Sequence, residues 1–222
     1  RLVGSTASDL LVVGGGFSGL WTALLAKESE PARQVILVEA AEVASGASGR
    51  NGGFVHATLT HGFANGLSRW LDHDQVQSRL ASPTFAGALF EPDGVAMVDP
   101  ARLAWGLKQV CLDLGVEMYE HTPVEALAES GDQVLATTPM GEIRASRVAL
   151  ATNAFPSHVP AVRRRVVPVY DYVLVSEPLT AEQWRAVGWD GHEGVSAGPT
   201  GRWHQRALPA RHRARSTAAV PT

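Results

Sequence analysis

The chain has 222 residues, 45% of them apolar, which suffices for one large or two small packed domains. Its apolar runs are strand-sized, far below the ~20 residues of a membrane-spanning helix, and no basic segment leads into a cleavable apolar stretch, so a cytoplasmic protein with no membrane span is expected. The formal charge of −3 hides an asymmetry, because Arg202, Arg206, Arg211, Arg213 and Arg215 all follow Glu193 and no acid does, while a lone Cys111 excludes an internal disulfide framework and a cysteine-rich metal site.

Asp9 to Val13 reads as a short apolar strand, followed by a glycine turn and the start of a helix. Gly14, Gly16 and Gly19 fit the G-x-G-x-x-G spacing of a dinucleotide-binding βα unit, in which the helix N-terminus offers free N–H groups and partial positive charge to a pyrophosphate. Trp21 to Ala26 continues the helix, and Gln34 to Glu39 is a second buried strand ending in an acid. Glu39 lies 20 residues after Gly19, where a carboxylate accepts hydrogen bonds from ribose hydroxyls and repels a 2′-phosphate, which disfavours NADP. The plain alternative is a glycine-rich turn with a surface glutamate.

Ala40 to Gly53 is too rich in small residues for a regular helix or strand. Such a segment can lie flat on a ligand, with its amides and the Ser45 and Ser48 hydroxyls turned to phosphate oxygens and Arg50 adding a charged contact. A flexible linker is the alternative.

The combination of VVGGGFSGLWTALL, VILVEA and GASGRNGG resembles the FAD-dependent amine and amino-acid oxidoreductases of the D-amino-acid oxidase and glycine oxidase family, above all their gamma-glutamylputrescine oxidoreductase-like branch. The resemblance covers roughly residues 8–193. It implies an α/β fold, in which a Rossmann-like FAD-binding domain of the glutathione-reductase type is interleaved with a partial antiparallel substrate domain. The FAD-binding domain would be 8–58 and 95–160, and the substrate domain 59–94 and 161–193. FAD would meet Gly14, Gly15, Gly16, Phe17, Ser18, Gly19, Glu39 and Ala40 on its ADP side, and Ser45, Ala47, Ser48, Gly49, Arg50, Asn51, Gly52 and Gly53 towards the flavin. Val124 would meet the adenine through its backbone, and Ala151 and Thr152 would approach the cofactor; a core strand without ligand contact is the alternative for these three. The implied activity is oxidation of the C–N bond of a small-molecule amine or amino acid, with hydride passing to the flavin, an imine as product, and dioxygen or another acceptor taking the electrons; a truncated, non-catalytic remnant or an FAD- or ADP-binding fragment of such an enzyme is the alternative. No catalytic residue and no metal site can be nominated.

His56, His61 and His73 follow, and His56 is flagged because related flavoenzymes use a histidine for flavin attachment or substrate contact, although its spacing does not single it out and a hydrogen-bonded structural or surface histidine is the favoured reading of each. Relatives of this kind carry a longer, mostly helical insertion between their counterparts of Gly53 and Val98, so the span is abbreviated near Arg69 to Asp74. Glu91-Pro92-Asp93-Gly94 is a turn. Asp99 and Pro100 start a helix whose Leu103, Leu107, Val110, Cys111 and Leu114 share a face, and Gly115 ends it. A strand at 116–119 leads to Pro123–Ala128, then to a hairpin of 133–138 and 142–145 around Pro139-Met140-Gly141, and to a returning strand from Arg147.

Arg163 to Arg165 reads as a solvated basic turn. Val166 to Ser176 alternates as a strand carrying Tyr170 and Tyr172, and Thr180 with Gln183 forms a capping box opening a short helix. Residues 194–222 have no sustained period and no acid. They are expected to be disordered, as an out-of-frame tail or as a basic segment; no nucleic-acid partner is expected.

Overall fold

The computed structural model describes residues 1–56, 68–92, 95–155, 163–168, 172–189, 194–197 and 204–206. In chain order its elements are β1 (Gly4–Val13), α1 (Phe17–Ser29), β2 (Val35–Val38), β3 (Phe54–His56), β4 (Arg69–Leu71), α2 (His73–Gln77), β5 (Ala88–Phe90), β6 (Val95–Met97), α3 (Pro100–Asp113), β7 (Glu117–Tyr119), β8 (Ala126–Ser130), β9 (Gln133–Thr138), β10 (Gly141–Leu150), α4 (Ala181–Val187), β11 (Val195–Ala197) and β12 (His204–Arg206). They divide into two compact units, Arg1–Asn51 with Pro100–Tyr172, and Gly52–Asp99 with Val173–Thr222.

The first unit carries a six-stranded sheet in the order β7-β2-β1-β10-β9-β8. The pairs β2 with β7, β1 with β2, and β1 with β10 are parallel, while β9 and β8 continue antiparallel. Every residue of β2 is buried, the mark of a strand covered on both faces. Its side chains alternate between two cores. Val35 and Leu37 join Leu20, Ala23 and Leu24 of α1 and Ala104, Leu107 and Cys111 of α3. Ile36 and Val38 join Leu11, Val13, Ala136, Ile143 and Ala145. The register Val13↔Val38 and Val13↔Leu150 brings the carboxyl ends of three neighbouring strands together, where ligands of open parallel sheets bind.

Several local expectations need correction. β1 begins at Gly4, because Gly4–Ser8 pair with Gly141–Ala145, and the two strands expected after Met140 are one. On α3 the buried stripe is Ala104, Leu107 and Cys111, three and four residues apart and clustered with Leu20, Ala23 and Leu24 of α1, whereas Leu103, Val110 and Leu114 stay exposed. Val166–Ser176 forms no strand among its described residues: 166–168 and 172–176 are exposed and unpaired in any sheet. Alternation selects the face of a strand but does not supply a neighbour to bond with.

Among the described residues the second unit holds three antiparallel two-stranded ribbons, β3 with β6, β4 with β5, and β11 with β12. Residues 195–197 and 204–206, assigned by composition to an unstructured tail, thus pair, with Val195 opposite Arg206. Asp72 and Gln75 form a capping box that starts α2, a helix hidden in a short polar run. Thr180 and Gln183 form the expected one at α4, which ends at Gly188 in the left-handed region and buries Trp184 beside Trp189.

Candidate functional site

The site is assembled where β1 hands over to α1. Gly14 takes φ +112°, a conformation that L side chains rarely adopt, and a Cβ there would sit 2.5 Å from the Ala151 carbonyl oxygen. Gly19 is required by packing, since a Cβ would run into the Gly14 carbonyl. These two positions let the chain reverse tightly and bring the first turn of α1 onto the sheet.

The first helical hydrogen bond runs from the Leu20 amide to the Gly16 carbonyl at 2.9 Å, so the amides of Gly16 to Gly19 precede the intrahelical ladder. Gly16 is the N-cap, it has no side chain to cap with, and no acid lies in the first turn. Ser48 reaches in from the 3-10 turn Ala47–Gly49, and its Oγ accepts from the Phe17 amide at 2.9 Å. That hydroxyl keeps its own proton to donate to an anion at the helix pole. A group with acceptor oxygens fits there: Ser18 is exposed, and Gly16 and Phe17 are half-buried.

Glu39, directly after β2, spans the glycine turn. Its Oε2 accepts from the Gly15 amide at 2.7 Å and its Oε1 from the Ala41 amide at 3.0 Å. A carboxylate has about four lone-pair sites, so acceptor capacity remains for two hydroxyls. Next to it Ala40 borders a cavity of about 350 Å³ lined also by Leu2, His121, Thr122, Pro123, Thr138 and Met140. The Val124 side chain is buried in the sheet core, which leaves only its backbone for a ligand.

Of the residues read from the sequence, the first unit thus brings together Gly14 to Gly19, Glu39, Ala40 and Ser48, with Ala151 and Thr152 against Gly14. Asn51 donates from Nδ2 to the Ala47 and Ser48 carbonyls and steadies the 3-10 turn. Gly49 lies against Ala44, Ser45 is half-buried with its amide donating to Glu42, and Arg50 is exposed. Gly52 and Gly53 belong to the second unit. So does His56, on β3 opposite Val95. His73 is the exposed first residue of α2 and Tyr172 is exposed; His61, Tyr170 and Asp93-Gly94 lie outside the described residues. Cys111 is fully buried and donates to the Leu20 carbonyl; burial pushes its thiol up, which suits a packed, inert group.

Sequence reasoning missed Glu120 and Lys108. Glu120 follows β7 at the same end of the sheet as Glu39, and its Oε1 accepts from the Val43 amide and from Lys108 Nζ, each at 2.8 Å. Burial alone would raise its carboxyl, but hydrogen bonds from Lys108 and Val43 and the Lys108 charge outweigh burial and hold it below the usual carboxylate value. The signal available was positional: an acid just past a strand that neighbours the nucleotide-type strand β2.

The model of a family described as FAD dependent oxidoreductase matches residues 9–64 and 60–206. The chain is 23% identical to "Probable oxidoreductase OrdL" of Haemophilus influenzae, over 78% of this chain and 56% of that protein. It is 24% identical to gamma-glutamylputrescine oxidoreductase of Escherichia coli, over 82% of this chain and 58% of that one. Among solved structures, glycine oxidase from Geobacillus kaustophilus superposes with a TM-score of 0.61 at 19% identity, covering 70% of this chain and 58% of that chain. The chain therefore spans just over half the length of these relatives. The alignment with the Haemophilus protein runs over 249 positions, more than the 222 residues present here, so that relative carries segments without a counterpart in this chain.

Proposed function

The chain belongs to the FAD dependent oxidoreductase family, and on that premise we propose that its first unit holds FAD and that the protein oxidises the C–N bond of a small-molecule amine or amino acid. The observation that carries the reading is that the Ser48 hydroxyl and the Glu39 carboxylate are both bonded to the glycine turn, at the Phe17 and Gly15 amides, where the amides of Gly16, Ser18 and Gly19 precede the ladder of α1 at the carboxyl ends of β1 and β2. In this reading the amides and Ser48 hold the pyrophosphate, Glu39 accepts from the ribose hydroxyls, and the adenine lies towards Ala40 and the backbone of Val124. Ser45, Ala47, Gly49, Arg50 and Asn51, all of the first unit, continue towards the flavin. Bound FAD supplies the two-electron chemistry, while the chain supplies binding, orientation and electrostatics. Glu39 further discriminates by charge, since a 2′-phosphate would meet its carboxylate.

The test is one titration. FAD is added to the full chain, the absorbance spectrum is recorded, and a panel of amines and amino acids is then added without oxygen. A bound flavin spectrum that bleaches with an amine is expected; a chain that binds no FAD overturns the reading. A second reading, binding of FAD or ADP without amine oxidation, is favoured by Leu174 and Val175, which are 96% and 77% exposed and have no strand partner among the described residues. It predicts a bound flavin that no amine bleaches.

A further inference from the structure

Between Glu39 and Ser48 the chain has no long regular element, yet Ser48 must arrive within hydrogen-bond reach of an amide 31 residues earlier. What fixes this loop is a set of ties to both sides. The Ala44 amide donates to the Gly15 carbonyl at 3.1 Å, and the His121 amide donates to the Ala41 carbonyl at 2.8 Å. Ala44 itself is held at φ +67°, a left-handed conformation that a non-glycine residue adopts only when its surroundings enforce it. Its neighbour Val43 is 4% exposed, and Val43 Cγ2 lies 2.9 Å from where a Cβ on Gly15 would be. The Ala44 carbonyl in turn lies so close to Gly49, the residue after Ser48, that no side chain fits there. Position therefore passes from Val43 through Ala44 to Ser48, and from Ser48 Oγ to the Phe17 amide.

The Val43 amide is bonded to Glu120 Oε1, and the same oxygen receives Lys108 Nζ from α3. The Glu120 side chain is 29% exposed, so this is a tie in a half-buried setting, where a charged acceptor bonds an amide more strongly than a neutral one. We propose that Glu120 is a positioning residue of the nucleotide cradle: backed by Lys108, it holds Val43 so that Ser48 meets the first turn of α1. The proposal rests on the nucleotide reading for its ligand, but the coupling it describes exists in the ligand-free chain. His121 Nε2 lies 4.0 Å from Glu42 Oε1 with both side chains exposed, whereas the Val43 amide is bonded to Glu120.

The experiment compares the full chain with Glu120→Ala, Glu120→Gln and Lys108→Met by amide hydrogen exchange without ligand, then by FAD titration below the melting temperature. Glu120→Ala should speed exchange at Val43 and also at Phe17, and weaken FAD by about tenfold, the loss expected for one hydrogen bond to a charged group. Glu120→Gln keeps an acceptor for the Val43 amide and should restore both; a merely structural residue would lower the melting temperature without this local pairing of effects. Faster exchange at Val43 with Phe17 unchanged overturns the proposal, as does unchanged FAD affinity in Glu120→Ala. Should that variant not fold, Lys108→Met decides: Phe17 exchanges faster if the support is needed, and an unchanged rate overturns the proposal. A wild-type chain that binds neither FAD nor ADP defeats the nucleotide reading alone, and the exchange arm still decides the role of Glu120.

Discussion

In the first unit β2 buries all four of its residues between two packed layers, whereas the described strands of the second unit are three residues long and paired in twos. Leu71, Val76, Trp184 and Trp189 are the buried apolar side chains of the second among the described residues, while the first fills both faces of a six-stranded sheet. Two-stranded ribbons are marginal by themselves in water. A broad sheet covered on both sides keeps its strand ends rigid, and the candidate cradle stands on those ends. The difference teaches that the nucleotide-type site draws its order from its own unit: Glu39, Ser48 and the glycines are tied to one another and to β7 and α3.

The largest test of this contrast is Leu37→Ala, which empties a fully buried site between α1 and α3. It should cost about 2–5 kcal/mol in the first unit. Unfolding followed by residue-resolved amide exchange should show the loss there and leave the α4 amides unchanged. Equal losses in both units would show that they unfold as one. Next comes Gly19→Ala, whose Cβ meets the Gly14 carbonyl; forcing the helix away should cost roughly 1–3 kcal/mol and weaken FAD in a calorimetric titration. Glu39→Arg removes the acceptor for the Gly15 and Ala41 amides and for the ribose, and should cost about 1.5–3 kcal/mol of FAD binding. Unchanged affinity would remove Glu39 from its role.

Two smaller changes sharpen the comparison from the other side. Thr180→Ala breaks the capping box of α4 and should cost about 1 kcal/mol, seen as faster exchange in α4, with FAD affinity as in the wild type. The smallest effect is acidification. The Glu120 carboxyl is held below its ordinary value in the folded chain, so its contribution is complete above the ordinary carboxylate range and is lost as pH falls through that range to the depressed value. Protection of the Val43 amide, measured against its intrinsic exchange rate at each pH, should therefore fall more on acidification than in Glu120→Gln, with FAD weakened in the same window.

What the sequence determined by itself is local. Gly14 and Gly19 mark the turn, four consecutive apolar residues mark a doubly covered strand, Glu39 stands at its end, and Thr180 with Gln183 announces a helix, because each signal is carried by a few neighbouring residues obeying backbone sterics and cap chemistry. The tertiary structure decided what depends on distant partners. It paired Gly4–Ser8 with the strand after Met140, turned Ala104 rather than Val110 inward, left the described residues of Val166–Ser176 without a strand to pair with, and set Glu120 and Lys108 on Val43. A sequence pattern states which faces are apolar and which residues can donate or accept, but pairing is a property of two segments. The second segment is chosen only when the sheet closes around its core.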